Sequence, residues 1–73
     1  MPTQNEWEAR AANVLKAELK RKGVTYSDLV NKLALIGVDE KEVNIRNKLS
    51  RGKFTAAFFI QCLYAIGEYD IRI

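Results

Sequence analysis

Asn44, Arg46, Asn47, Lys48, Arg51 and Lys53 lie within ten residues of one another, and each ends in a group that donates hydrogen bonds. Asparagine can bond the edge of adenine bidentately and arginine that of guanine, while lysine meets phosphate as a point charge. With Val43 free to touch a thymine methyl, the set has the side-chain types of a major-groove reader. Surface helices also carry Lys, Arg and Asn merely to stay solvated. Asparagine argues against that use here, because it competes with its own backbone and is only a middling helix former. Two of them three apart suggest a purpose.

Such side chains need a docked helix beneath them, and the flanking residues predict one over 40–50. Asp39 can cap it with Glu42 reaching back, as in a capping box, and Val38 and Val43 stand at hydrophobic-staple positions. Gly52 supplies a left-handed exit. Ile45 and Leu49 are four apart and form the inward stripe, with Glu42 beside them. Val43, Asn44, Asn47, Ser50 and Arg51 face the other way, flanked by Arg46 and Lys48. Five basic residues, Lys41, Arg46, Lys48, Arg51 and Lys53, concentrate here much of the chain's net charge of +3.

Three further helices are expected, over 5–22, 26–36 and 55–66. The first has an apolar stripe of Trp7, Ala11, Val14, Leu15 and Leu19, with Arg10, Asn13, Lys16 and Lys20 outward, and Gly23 closes it. Lys20, Arg21 and Lys22 in its last turn either complement the helix dipole or meet a phosphate. Thr25 caps the second, with Asp28 as an imperfect capping-box partner, and Leu29, Val30, Leu33 and Ile36 carry its apolar side. Free N–H groups at that helix start could let Thr25, Tyr26 and Ser27 bond a phosphate. In the fourth, Phe58, Phe59, Cys62, Leu63, Ala65 and Ile66 fill the core, with Phe54 plugging in just before it.

Ala56, Ile60 and Tyr64 fall on another side of that last helix. A helix apolar nearly all round is normally covered all round, and a chain of 73 residues has little left to cover it. The tail, 68–73, alternates apolar and polar at Tyr69, Ile71 and Ile73, the period of a strand. It either pairs with a second chain or folds back on the domain. Ala56, Ile60, Tyr64, Tyr69, Ile71 and Ile73 are thus the expected contact with a homodimer mate or a protein partner.

The whole chain makes one small domain, all-α with four compact helices and a short extended C-terminal tail. A pI near 9.2 suits nucleic acid or another acidic partner. The lone Cys62 cannot form an intrachain disulfide, and its apolar surroundings suggest a buried, inert thiol in a reducing cytoplasm. The N-terminus lacks the basic start and apolar stretch of a secretory signal, and no run is long enough to span a membrane. With no histidine and one buried cysteine the chain lacks the usual general base, Cys-His pair and zinc ligand sets, so neither catalysis nor a metal is expected. Isolated glycines at helix exits make no phosphate loop, and no cofactor is implied.

Residues 20–33, KRKGVTYSDLVNKL, with Gly23, Thr25 and Leu29, together with the basic-glycine-basic exit Arg51, Gly52 and Lys53, resemble the lambda-repressor-like, Cro-type helix-turn-helix family. The resemblance covers roughly residues 14–67. It implies a small bacterial or phage-type transcriptional regulator that binds double-stranded DNA as a dimer, with Val43, Asn44, Asn47 and Lys48 in the major groove. Tyr26 and Val43 stand where that family usually has glutamines, and Leu19 and Ser50 where an Arg–Glu pair commonly ties the first helix to the third. The stretch 33–43 is longer than in compact members. The block RGKFTAAFF is similar to a group of small bacterial proteins whose domain has no known function. A different class of function, an adaptor or antitoxin-like interaction module, would instead use helix 55–66 and the tail.

Overall fold

Thr3, Thr25 and Thr55 each stand one residue before a helix, in extended backbone, and each hydroxyl accepts a hydrogen bond from the N–H three residues on. In the computed structural model, which describes residues 2–71, these caps start α1 (Gln4–Lys22), α2 (Tyr26–Leu35) and α4 (Ala56–Ala65). At Thr25 the capping box is complete, for Asp28 also accepts from the Thr25 N–H at 3.2 Å. Each such cap stabilises its helix by about 1 kcal/mol.

The remaining helix, α3 (Glu42–Arg51), starts differently from expectation. Its N-cap residue is Lys41, which makes no side-chain cap bond, and Asp39 lies too far back to serve. The Lys41 N–H is taken instead by the neighbouring Glu40 carboxylate at 3.1 Å. This later start also removes Val38 and Val43 from staple positions, and Val43 is 52% exposed. Glu42 is likewise outside, in the first turn, rather than beside the inward stripe.

Four pairs of residues spaced four apart meet in one core: Leu15 with Leu19, Leu29 with Leu33, Ile45 with Leu49, and Phe58 with Cys62, one pair from each helix. Such spacing aligns side chains on one helical face, and burying each large apolar one contributes roughly 1.5–3 kcal/mol. The helices lie so that α1 and α2 each pack against both α3 and α4. Leu63 and Ile66 extend the core, and Val38, Phe54 and Phe59 border it. Two expected core residues sit outside. Trp7 is 47% exposed, at a level where Gly52 approaches the α1 main chain at Glu8 and Ala9, and Ala12 is buried. Ile36 follows the end of α2 and is exposed.

Among the described residues of the tail, 68–71, no strand forms. Gly67 turns the chain, the Glu68 N–H donates back to the Leu63 carbonyl at 2.9 Å, and residues 68–71 run irregularly with a bend at Asp70. Tyr69 brings its ring to 5.5 Å from that of Tyr64, so the described part of the tail folds onto α4 of its own chain. Lone extended segments are marginal, and this one gains more from an adjacent aromatic face than from unpaired backbone. Ile73 lies outside the described residues. Among the described residues no helix is long and apolar enough to cross a membrane.

Candidate nucleic-acid interface

Ile45 and Leu49 are buried to 0% and 1% exposure, which fixes the roll of α3 and turns Val43, Asn44, Arg46, Asn47, Ser50 and Arg51 outward. The expected face is therefore assembled, with six of its side chains on one surface. Several of the cations on and around it, however, are engaged. Arg46 pairs with Glu42 one turn earlier at 3.3 Å, and Lys53 pairs with Glu8 of α1 at 3.4 Å. Among the described residues no carboxylate pairs with Arg51.

Lys48 departs furthest from its expected role. Its ammonium lies 2.7 Å from the Glu40 carboxylate and 4.5 Å from the centre of the Phe58 ring, so it is directed at α4. Burial pushes the Glu40 carboxyl up, but the hydrogen bonds from Lys48 and the Lys41 N–H, the charge of Lys48 and the Asn44 amide outweigh it and hold the group below its usual range. The clue in the sequence was the spacing: position 48 sits between the inward stripe and the outward face, where an aliphatic stem packs and a charged head needs a partner.

Gly52 ends α3 in the left-handed region, φ 70°, and its N–H donates to the Lys48 carbonyl. It also presses against α1, where a Cβ would fall 2.5 Å from the Glu8 carbonyl oxygen. The contact sets the exit of α3 against α1 and brings Lys53 beside Glu8. Nothing in the sequence pointed to Glu8, which belongs to no motif and lies outside the apolar stripe of α1.

At the start of α2 the capping box consumes both polar groups of Thr25. Bonds from the Thr25 N–H and hydroxyl hold the Asp28 carboxyl below its usual range, leaving a negative charge where a phosphate was expected. Tyr26 is half-buried against the core and Ser27 exposed. Lys16 and Lys20, one turn apart on α1, share a hollow of about 290 Å³ with Thr25 and Tyr26. The other cations of that last turn are structural: Arg21 pairs with Glu18 at 2.6 Å and with Glu68, and Lys22 donates to the Gly67 carbonyl at 3.4 Å. The hydrogen bond from Arg21 lowers the Glu18 carboxyl.

On the far side of α4, Ala56, Ile60 and Tyr64 are exposed, Ile60 to 64% and Tyr64 to 57%. Ile60, Tyr64, Tyr69 and Ile71 line a hollow of about 260 Å³ with Leu63 and Glu68. Cys62, two positions from both Ile60 and Tyr64 on the same helix, is fully buried, and burial together with the Glu40 charge pushes its thiol up to about 12 against a smaller opposing effect of Lys48. Among the described residues no group of three or more His, Cys, Asp or Glu side chains could hold a metal ion.

No curated protein and no solved structure matches the chain. One family model does, described as Domain of unknown function (DUF6471), over residues 7–71. That stretch runs from Trp7, beside the exit of α3, to Ile71 of the tail, which lines the hollow beside α4, and so takes in the packed core, the α3 face and the tail turn together. The chain belongs to the DUF6471 family.

Proposed function

We propose that the domain is a lambda-repressor-like helix-turn-helix protein that binds double-stranded DNA sequence-specifically, as a small dimeric transcriptional regulator of the bacterial cytoplasm. The observation carrying this reading is α3 itself: a helix anchored by two fully buried residues that presents Asn44, Asn47, Arg46 and Arg51 on one exposed face. Asn44 and Asn47 read base edges, Val43 meets a thymine methyl, and Arg46 and Arg51 take guanine or phosphate. Lys53, with Lys16 and Lys20 near the start of α2, contacts the sugar-phosphate backbone. Lys48 supports the helix from behind.

Selection from random duplex DNA at about 50 mM salt tests it. A palindrome should be enriched, since half-site symmetry mirrors protein symmetry. Asn47→Ala should then relax preference at one position of each half-site, whereas Arg51→Ala should weaken binding or shift preference at a guanine. Failure to retain any duplex sinks the reading.

A second reading is favoured by the exposed Ile60, Tyr64, Tyr69 and Ile71 around one hollow. In it the domain is a non-enzymatic interaction module, adaptor or antitoxin-like, whose α4 face and tail bind a partner protein. Recovery of one protein and no DNA would support it.

A further inference from the structure

We propose that Glu8 and Glu42 restrain the α3 face electrostatically, holding down its attraction for phosphate so that binding depends on base contacts. The proposal rests on the DNA-binding reading above and concerns how that same surface is regulated. Three of the five cations in residues 41–53 are paired, and their acids come from three separate places: Glu8 on α1, Glu40 in the loop before α3, and Glu42 in its first turn. Glu42 with Arg46 is the i,i+4 pairing common on charged helices, but Glu8 and Glu40 reach the same basic segment from outside α3.

The pairs differ in what they can do. Glu40 and Lys48 form a half-buried support under α4 and stay together when DNA arrives. Glu8 and Glu42 hold cations that are more than half exposed, Lys53 and Arg46, so a phosphate can compete for them. Glu8 is the stronger restraint, because its own side chain is only 18% exposed and Gly52 rests on its main chain. The carboxylate is largely enclosed while the lysine head is exposed. An arriving phosphate must displace it and then lie close to it, so each restrained cation releases less counterion and adds less to affinity. A duplex offering only phosphates gains little from Arg46 or Lys53. A duplex with the right base edges gains from Asn44, Asn47 and Arg51 regardless.

The test compares wild type, Glu8→Gln, Glu42→Gln and the double variant on a random-sequence duplex and on the selected duplex, across a salt series. Asp70→Asn is the charge-matched control, in the tail by the opposite end of α1. Each single variant should bind the random duplex about three-fold more tightly or better at low salt. The slope of log K against log salt should steepen by up to roughly 0.9 per released cation, the double variant showing both. Asp70→Asn should leave the slope unchanged. Equal slopes and affinities in wild type and the two variants, or the same gain from Asp70→Asn, would overturn the restraint while leaving DNA binding in place. If wild type and all variants bind neither duplex, the DNA reading and the restraint both fall.

Discussion

Gly52 rests on the main chain of Glu8 so closely that a Cβ at position 52 would come within 2.5 Å of the Glu8 carbonyl oxygen and 2.7 Å of its carbon. Neither atom can move without shifting α1. Gly23 has nearly the same backbone conformation, φ 68° against 70°, but no atom lies within 4 Å of its notional Cβ. The two glycines therefore separate conformational cost from contact. Gly23→Ala should destabilise by about 1–2 kcal/mol, the left-handed penalty alone. Gly52→Ala should lose a further ~1–3 kcal/mol from overpacking. Urea unfolding of both variants measures the difference, and equal midpoints would mean that the α1–α3 contact yields freely.

The Glu40–Lys48 pair should behave as a support of the fold rather than as a DNA contact. Lys48→Ala removes the ion pair and the cation–π contact with Phe58, and should cost about 1 kcal/mol, discounted because the lysine remains over a third exposed. Lys48→Met, which keeps the stem, should cost less. The folded-state pKa of Glu40 is lowered, so its contribution is present above the unfolded carboxylate range and lost as pH falls through the folded value. Asp28 acts in the same sense. Acid unfolding should therefore be steep below about pH 4.5 in wild type and shallower in Glu40→Gln. An unchanged acid profile in that variant would remove Glu40 from the account.

The four-helix fold was legible because its signals are local. Thr25 and Thr55 cap, Gly23 and Gly52 exit, and four pairs at i,i+4 spacing make the core; all of these are read within one turn of chain. The misreadings share a different cause. Asp39 looked like a cap because Glu42 follows it by three, yet Glu40 was drawn toward Lys48, eight residues on, and α3 starts later. The exposure of Trp7 and the turn of Lys48 toward Glu40 and Phe58 are set by other segments, and periodicity says which face a residue is on but not what lies against it. Glu8 was invisible for the same reason: its role depends on the approach of Gly52 from 44 positions away. The alternation of Tyr69 and Ile71 was real, but a turn at Gly67 and the neighbouring Tyr64 ring decided its use.

Cys62 should be inert in the folded protein. Its side chain has no exposure, and burial beside the Glu40 charge raises the thiol to about 12, so almost no thiolate exists near neutrality. Reaction with a disulfide reagent at pH 8 should be slow in buffer and fast in denaturant. Under native conditions its rate should follow the population of unfolded chain, falling with stabilising salt and rising in Gly52→Ala. Fast stoichiometric labelling of the native protein would mean that α4 opens locally.

The α4 face allows a prediction about assembly that does not depend on DNA. Ile60, Tyr64, Tyr69 and Ile71 are exposed around one hollow, and their uncovered side chains amount to roughly 400 Å² per chain. A stable interface takes about 800 Å² from each partner, so two copies meeting through this face should form only a weak dimer. Sedimentation should show the average mass rising with concentration into the high micromolar range. Ile60→Lys and Tyr64→Lys should abolish the rise, and Ile60→Lys should leave the unfolding free energy within about 0.5 kcal/mol of wild type, because Ile60 is outside the core, while Tyr64→Lys should cost somewhat more through its lost contact with Tyr69. Both variants should also weaken binding to a palindrome more than to its half-site. A strictly monomeric wild type would reserve the face for a different protein and detach dimerisation from the DNA-binding proposal.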